Sequence, residues 1–235
     1  MNAQAGQQIN AVKIVGAGLI GTSIGLALAQ QGVSITIDDA DEKALALATD
    51  LLAPYLKSSG EDKKEYDLVV IATPPASVIG TLKSEFVINP KSVFIDVSSV
   101  KTNLIREIEV LPALSQSFVG THPMAGREVS GASSAQADLF NGRAWILTPT
   151  SNSSERAIAM AKQLIAALGA SSYEMTAKDH DHLMARISHL PQIASTLIAS
   201  EIQELGAGLE LSGQGLRDMT RIAGSDPLLW SEILL

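Results

Sequence analysis

Gly16, Gly18 and Gly21 form a GxGxxG turn directly after the β-branched run Val12 to Val15 and at the entrance to the apolar-periodic stretch LIGTSIGLALAQ. A strand, this turn and a helix in that order build a cradle for phosphates. Gly16 permits the tight turn, Gly18 lets the backbone approach a pyrophosphate, and Gly21 allows helix and strand to pack closely. The amides of Leu19 and Ile20, at the positive end of the helix dipole, should then face the phosphates. Asp38 closes the next strand-like run, VSITID, 22 positions after Gly16. That offset suits a carboxylate that bonds a ribose 2′-hydroxyl; it would repel a 2′-phosphate, so NAD is favoured over NADP. Asp39 and Asp41 crowd the same turn and read as acids at the start of the following helix. Thr73-Pro74-Pro75 ends the run DLVVIAT. It either walls the cofactor, at the edge where open α/β sheets bind ligands, or simply turns the chain into a helix.

The elements that must position these residues follow an alternating order. VKIV, VSITI, DLVVIAT, SVFIDVS, FVGTHP, AWILTPT and SSYEM read as strands, separated by longer helical periods that include DEKALALATDLL and Thr102 to Val110. This alternation predicts an α/β fold with a Rossmann-type, doubly wound parallel sheet. NSSERAIAMAKQLIAALG reads as an amphipathic helix, with Asn152 and Glu155 spaced as a capping box. A dinucleotide-binding domain over 1–175 is therefore expected, followed by an all-helical domain over 176–235. Pro191 lies inside the helical period Thr176 to Leu205, where loss of a backbone donor should kink or interrupt the helix. A short helix from about Leu216 to Ile222 follows. The chain ends in SEILL without a capping residue, so the helical domain is expected to be C-terminally short.

Composition narrows the function classes. The 235 residues are 46% hydrophobic and 18% charged, with a formal net charge of −8, which describes an ordinary globular chain with a proper core. No apolar run reaches the ~18 residues of a membrane span, and MNAQAGQQIN lacks the charged and apolar regions of a signal peptide, so a cytoplasmic protein is expected. Zero cysteines remove disulfides, thiolate metal sites and cysteine nucleophiles. Acidity without a Lys/Arg cluster argues against nucleic acid as a partner. An anionic substrate must be held by local Arg or Lys against the overall field. His180 and His182 invite a metal reading, but i, i+2 positions face apart on a helix and nothing nearby completes a site. Leu190, Ile193, Leu197 and Ile198 form a stripe that is core or dimer surface.

Several further segments stand in a fixed order: DVSSVK (Asp96 to Lys101), GTHPMAGRE followed by SG (Gly120 to Gly131), ADLF (Ala137 to Phe140), SHLPQ (Ser188 to Gln192) and DMTRIAGSDPLLW (Asp218 to Trp230). Together they resemble the prephenate/arogenate dehydrogenases of tyrosine biosynthesis, over nearly the whole chain. The resemblance implies NAD-dependent oxidative decarboxylation: hydride leaves C4 of a cyclohexadienol, CO₂ is lost and the ring becomes aromatic. Prephenate would give 4-hydroxyphenylpyruvate and arogenate would give tyrosine, and the sequence does not choose between them.

By that resemblance His122 hydrogen-bonds the 4-hydroxyl and takes its proton, a role suited to an imidazole; by itself it could equally be a structural histidine at a strand end. Ser99 matches the serine that orients this histidine, or is an ordinary helix cap; the family more often has glycine at position 98. Arg221 matches the arginine that grips a substrate carboxylate, or belongs to a surface cluster with Arg217 and Asp218. His189 matches a residue that reaches the pocket from the helical domain, Trp230 a nearby wall, and Ser188 adds a hydroxyl. Arg127 stands where the family often has a small polar residue, and is either a further carboxylate contact or a surface charge. The family's helical domain builds a homodimer and normally continues well past Trp230. Two rivals remain: a 3-hydroxyacid-type NAD dehydrogenase, whose lysine base could here only be Lys178, and a non-catalytic NAD-binding regulatory protein.

Overall fold

The computed structural model describes residues 8–55, 65–126, 131–203 and 209–234. Seven strands, β1 (Ala11–Val15), β2 (Ser34–Asp38), β3 (Leu68–Ile71), β4 (Val93–Asp96), β5 (Phe118–Pro123), β6 (Ala144–Pro149) and β7 (Ser171–Glu174), form one sheet in the order β2-β1-β3-β4-β5-β6-β7. The first five pair in parallel, so their C-terminal ends share one edge, and the order reverses between β1 and β3 as in a dinucleotide fold. The expected parallel sheet needs one correction, because β6 pairs antiparallel to β5, with His122 opposite Ile146, and β7 then follows β6 in parallel. An antiparallel return requires no crossover helix, and among its described residues the β5–β6 connection holds only the short turn Ala132–Ser134.

Helices cover both faces, as a buried parallel sheet requires. Residues α1 (Leu19–Gln30) and α6 (Glu155–Ala167) contribute, including Ile24, Leu28, Leu164 and Ile165, join Val12, Ile14, Leu68, Val70, Val93 and Ile95 in one core cluster. The alternate strand positions Val69, Ile71, Phe94 and Phe118 pack instead against α3 (Val78–Ile88), α4 (Thr102–Glu109) and α5 (Pro112–Ser117). Helix α2 (Glu42–Leu52) is capped by Asp41, whose carboxylate accepts from the amides of Lys43 and Ala44. The cap of α6 is Ser154, accepting from the Ala157 amide at 3.2 Å. Asn152, the expected cap, is instead held in the preceding turn by its amide bond to Thr150 Oγ1.

Beyond β7 the described residues are helical: α7 (Ala177–Met184), α8 (Leu190–Gln203), α9 (Gln214–Thr220) and α10 (Pro227–Leu234). The disturbance expected of Pro191 is present, one turn upstream of it. Residues Ala185–His189 form a wide π-turn, with the Leu190 amide bonded to the Ala185 carbonyl. Pro191 offers no amide to the turn before it and its ring crowds that turn, and a one-turn π-bulge relieves both; such bulges are common at functional sites. No helix among the described residues is long and apolar enough to cross a membrane.

Candidate active site

The parallel edge sets the residues read from the sequence in a row. Asp38 ends β2, the glycine turn follows β1, Thr73 and Pro74 follow β3, Ser98 and Ser99 follow β4, and His122 ends β5. Four strand intervals of about 4.8 Å put roughly 19 Å between the two ends of this row. Gly16 has φ +116°, and a Cβ there would overlap the Ala72 carbonyl; a Cβ on Gly21 would fall on the Gly16 carbonyl oxygen. Gly18, by contrast, has nothing within 4 Å of where its Cβ would be, so the space above the turn is open. The amides of Leu19 and Ile20 lie in the first turn of α1, where the helix itself offers no acceptor. The turn is braced from β2: Gly16 donates its amide to the Asp38 carbonyl at 2.8 Å and Ala17 donates its amide to the Asp39 carboxylate at 2.6 Å. Asp39 therefore does more than start a helix. Asp38 keeps its own carboxylate half exposed at the strand end, 3.9 Å from the Lys13 ammonium. Thr73 Oγ1 is buried beside this crevice without a hydrogen-bond partner among the described residues. An open cradle of helix-end amides, a half-exposed carboxylate and an orphaned hydroxyl fit a dinucleotide.

His122 is held from below. Its Nδ1 lies 2.9 Å from Nε2 of His180, and His180 Nδ1 lies 2.8 Å from Oδ1 of Asp181. Both partners come from α7. His180 is fully buried, and Asp181 also accepts the amides of Lys101 at 3.0 Å and Thr102 at 2.7 Å, capping α4. That cap belongs to Asp181 and not to Ser99, which is partly exposed. Ser98 is instead part of a buried cluster: Asp96 accepts from Lys101 Nζ at 2.5 Å and from the Ser98 amide at 2.9 Å, and Lys101 Nζ also reaches Ser98 Oγ at 3.0 Å. Asp96 ties β4 to β5 through the Thr121 amide at 3.1 Å.

These charges set the protonation of the site. Burial, and then the neighbouring Lys101 and His180 side chains, hold the His122 imidazole well below its ordinary range, against an opposing pull from Asp181. Burial works against the Asp181 carboxylate, but the His180 ring and the α4 amides overcome it and hold its pKa far below the usual range. Burial likewise lowers His189, and it lowers Lys101 against the raising effect of Asp96.

The helical segments bring the other residues toward this edge. Ser188 and His189 lie on the π-turn, and the His189 ring stands edge-on to Trp230 of α10, with centroids 6.0 Å apart at 87°. Helix α10 reaches the crevice side as well, since Glu232 accepts the Ala76 amide at 3.4 Å, just after Thr73-Pro74-Pro75. Arg221 begins the turn Arg221–Gly224 after α9 and is exposed. Its neighbours on α9 have partners of their own: Asp218 accepts from Gln214 Nε2 at 2.7 Å, and Arg217 donates to the Ser212 carbonyl at 3.5 Å. Buried Gln192 of SHLPQ donates to the Ile222 carbonyl at 3.0 Å and so fastens the Arg221 turn to α8. Arg127 lies outside the described residues.

Sequence reasoning missed His180, Asp181, Lys101, Asp39 and Gln192. His180 was weighed only against His182, and the two do face apart: His182 is exposed and meets Arg186 at 3.2 Å. Lys178, the rival base, is exposed at the start of α7 and lines a cleft with Thr102, Arg106, Glu109 and Glu174, which His122, Asp38 and the glycine turn do not line.

Comparison with known proteins agrees with this layout. A family model described as "Prephenate dehydrogenase, nucleotide-binding domain" matches residues 24–174, and one described as "Prephenate dehydrogenase, dimerization domain" matches residues 176–235. The chain is 36% identical to a probable prephenate dehydrogenase, NovF, of Streptomyces niveus over 94% of its own length and 61% of that protein's. It is 33% identical to a prephenate dehydrogenase of Bacillus subtilis (strain 168), over 97% of this chain and 64% of the relative. It thus spans somewhat under two thirds of the length of these relatives. The prephenate dehydrogenase of A. aeolicus, solved in complex with hydroxyphenyl propionate and NAD⁺, superposes with a TM-score of 0.85 at 28% identity, covering 97% of this chain and 82% of that one. With both family models matched in order across residues 24–235, the chain belongs to the prephenate dehydrogenase family.

Proposed function

We propose that the chain catalyses the NAD-dependent oxidative decarboxylation of a cyclohexadienol, prephenate or arogenate, to the corresponding 4-hydroxyphenyl product. The single observation that carries this reading is the row along the parallel edge, where a dinucleotide cradle and a partly buried imidazole on a hydrogen-bonded support stand toward opposite ends. Residues 1–175 would form the dinucleotide domain and 176–235 a helical substrate and dimerisation domain. The Leu19 and Ile20 amides and open Gly18 would receive the pyrophosphate, Asp38 the adenosine ribose, and Thr73 and Pro74 the wall beside it. NAD, when bound, supplies the hydride acceptor.

His122, neutral because burial opposes its charging, accepts the proton of the 4-hydroxyl as the C4 hydride departs. The electrons of the breaking C–CO₂⁻ bond enter the ring and make it aromatic, and the C4 oxygen, left as a phenolate, takes a proton back to give the 4-hydroxyphenyl product. Ser99 would be the serine that orients His122 and meets the nicotinamide region. Arg221 would grip the side-chain carboxylate, with Arg127 as a second candidate, while Ser188, His189 and Trp230 form the opposite wall. A fixed guanidinium fork suits a carboxylate even in an acidic protein.

The reading is tested by stoichiometry. One CO₂ released per nicotinamide reduced is expected; reduction without CO₂ would place the chain with simple hydroxyacid dehydrogenases. Asp38→Ser should weaken NAD more than NADP, as seen in paired titrations, and an unchanged preference would remove Asp38 from the ribose.

A homodimer is part of the same proposal. Ile187, Leu190, Ile193 and Leu197 are 41% to 62% exposed on the π-turn and α8, an apolar stripe that is surface and not core. Sedimentation should give about twice the chain mass; a monomer at micromolar concentration would count against it.

A further inference from the structure

His180 is fully buried, carries two good ring contacts, and has no step of the reaction assigned to it above. Its surroundings dictate where its protons sit. Asp181 is held ionised by three donors, so it is an acceptor only, and His180 Nδ1 must carry the hydrogen that meets it. In the neutral ring that leaves Nε2 as a lone pair. Nε2 faces His122 Nδ1 at 2.9 Å, so His122 must donate from Nδ1, and its own lone pair is then on Nε2, away from the support. The tautomer of one histidine thus follows from a carboxylate two residues removed in the chain of hydrogen bonds.

We propose that His180 and Asp181 are positioning residues for the reaction, fixing His122 with Nδ1–H turned inward and the Nε2 lone pair presented to the substrate hydroxyl. The inference rests on His122 being the base. It also gives α7 a purpose beyond packing. Asp181 simultaneously caps α4 and anchors His180, so the base is completed only when the first helix after β7 is docked on the sheet edge. When the 4-hydroxyl proton arrives on His122 Nε2, the positive ring donates through Nδ1 to His180, and the Asp181 carboxylate offsets the charge. No proton leaves the relay in this step.

The groups facing His122 are Lys101 from the loop before α4, His180 and Asp181 from α7, and His189 from the π-turn. Of these only Asp181 favours the charged ring. Removing its charge should therefore make His122 a weaker base, lower the turnover plateau, and move the acidic limb of the pH profile to lower pH.

Two measurements test this. Histidine ¹⁵N NMR on the intact chain reads the tautomer without turnover: His122 with hydrogen on Nδ1 is expected, and hydrogen on Nε2 overturns the proposal. Kinetics on Asp181→Asn should show kcat down roughly 10²-fold, KM and NAD affinity little changed, and the acidic limb of kcat/KM displaced to lower pH. His180→Gln, which keeps an acceptor for Nδ1–H, should retain most of the kcat that His180→Leu loses. A lower kcat in Asp181→Asn with an unmoved limb, or equal losses in the Gln and Leu variants, would show a merely structural role. His122→Asn is run alongside: if it leaves turnover intact, the base assignment falls and this inference with it. If it abolishes turnover while the Asp181→Asn limb stays fixed, only the inference falls.

Discussion

His122→Asn lowers turnover by ~10²–10⁴ while leaving NAD affinity largely intact, the range general-base removal produces. Asparagine can still donate from its amide toward His180, so the support beneath it is preserved, but it cannot accept a proton at neutral pH. The split between the two readouts follows from position. His122 ends β5, three strand intervals from β1, whose following turn forms the cradle, so the variant leaves the phosphate site untouched. Burial holds the His122 ring neutral well below the usual histidine range. The active, unprotonated form therefore persists as pH falls through 6.5, and activity is lost only below that. Steady-state rates over pH 5 to 8 and a fluorescence titration with NAD check both halves. Unchanged turnover would remove His122 as the base.

Lys101→Met costs about 3–5 kcal/mol of stability, because it strands the Asp96 carboxylate in a site where both side chains are fully buried. At this chain length that corresponds to a Tm lowered by roughly 10 °C. Part of the penalty is desolvation of the surviving charge, so the double variant Lys101→Met with Asp96→Asn should recover much of the loss. The recovery is incomplete, since Asp96 also orders Ser98 and joins β4 to β5 through Thr121. Calorimetry on the single and double variants tests this, and equal losses in the two would contradict the ion-pair account. Lys101 also opposes protonation of His122, so the single variant should move the acidic limb of activity to higher pH, opposite to Asp181→Asn.

The parts of the site that sequence revealed are those fixed by local spacing. The glycine turn, Asp38 and Thr73 each lie at the end of a strand or within two residues after it, and a parallel sheet carries every such position to one edge. Direction is another matter: periodicity places β6 but does not orient it, and the antiparallel return of β6 follows from the connection before it. The support of His122 was invisible for a related reason. His180 lies 58 positions from His122, and its only sequence neighbour of the same kind, His182, suggested a metal pair that the helix geometry turns apart. Lys101 drew no reading of its own, because nothing local marks a lysine that will be covered on all sides. Pro191 shows the intermediate case, in which the sequence locates a disturbance and the backbone accommodates it a turn earlier, in the π-turn that carries Ser188 and His189.

The most direct measurement is a steady-state assay of the purified chain that crosses prephenate and arogenate with NAD and NADP and follows reduced nicotinamide. Turnover of at least one of the two cyclohexadienols, with NAD preferred, is the predicted result. Intact NAD binding without turnover of either substrate would contradict the account and favour a regulatory NAD-binding protein.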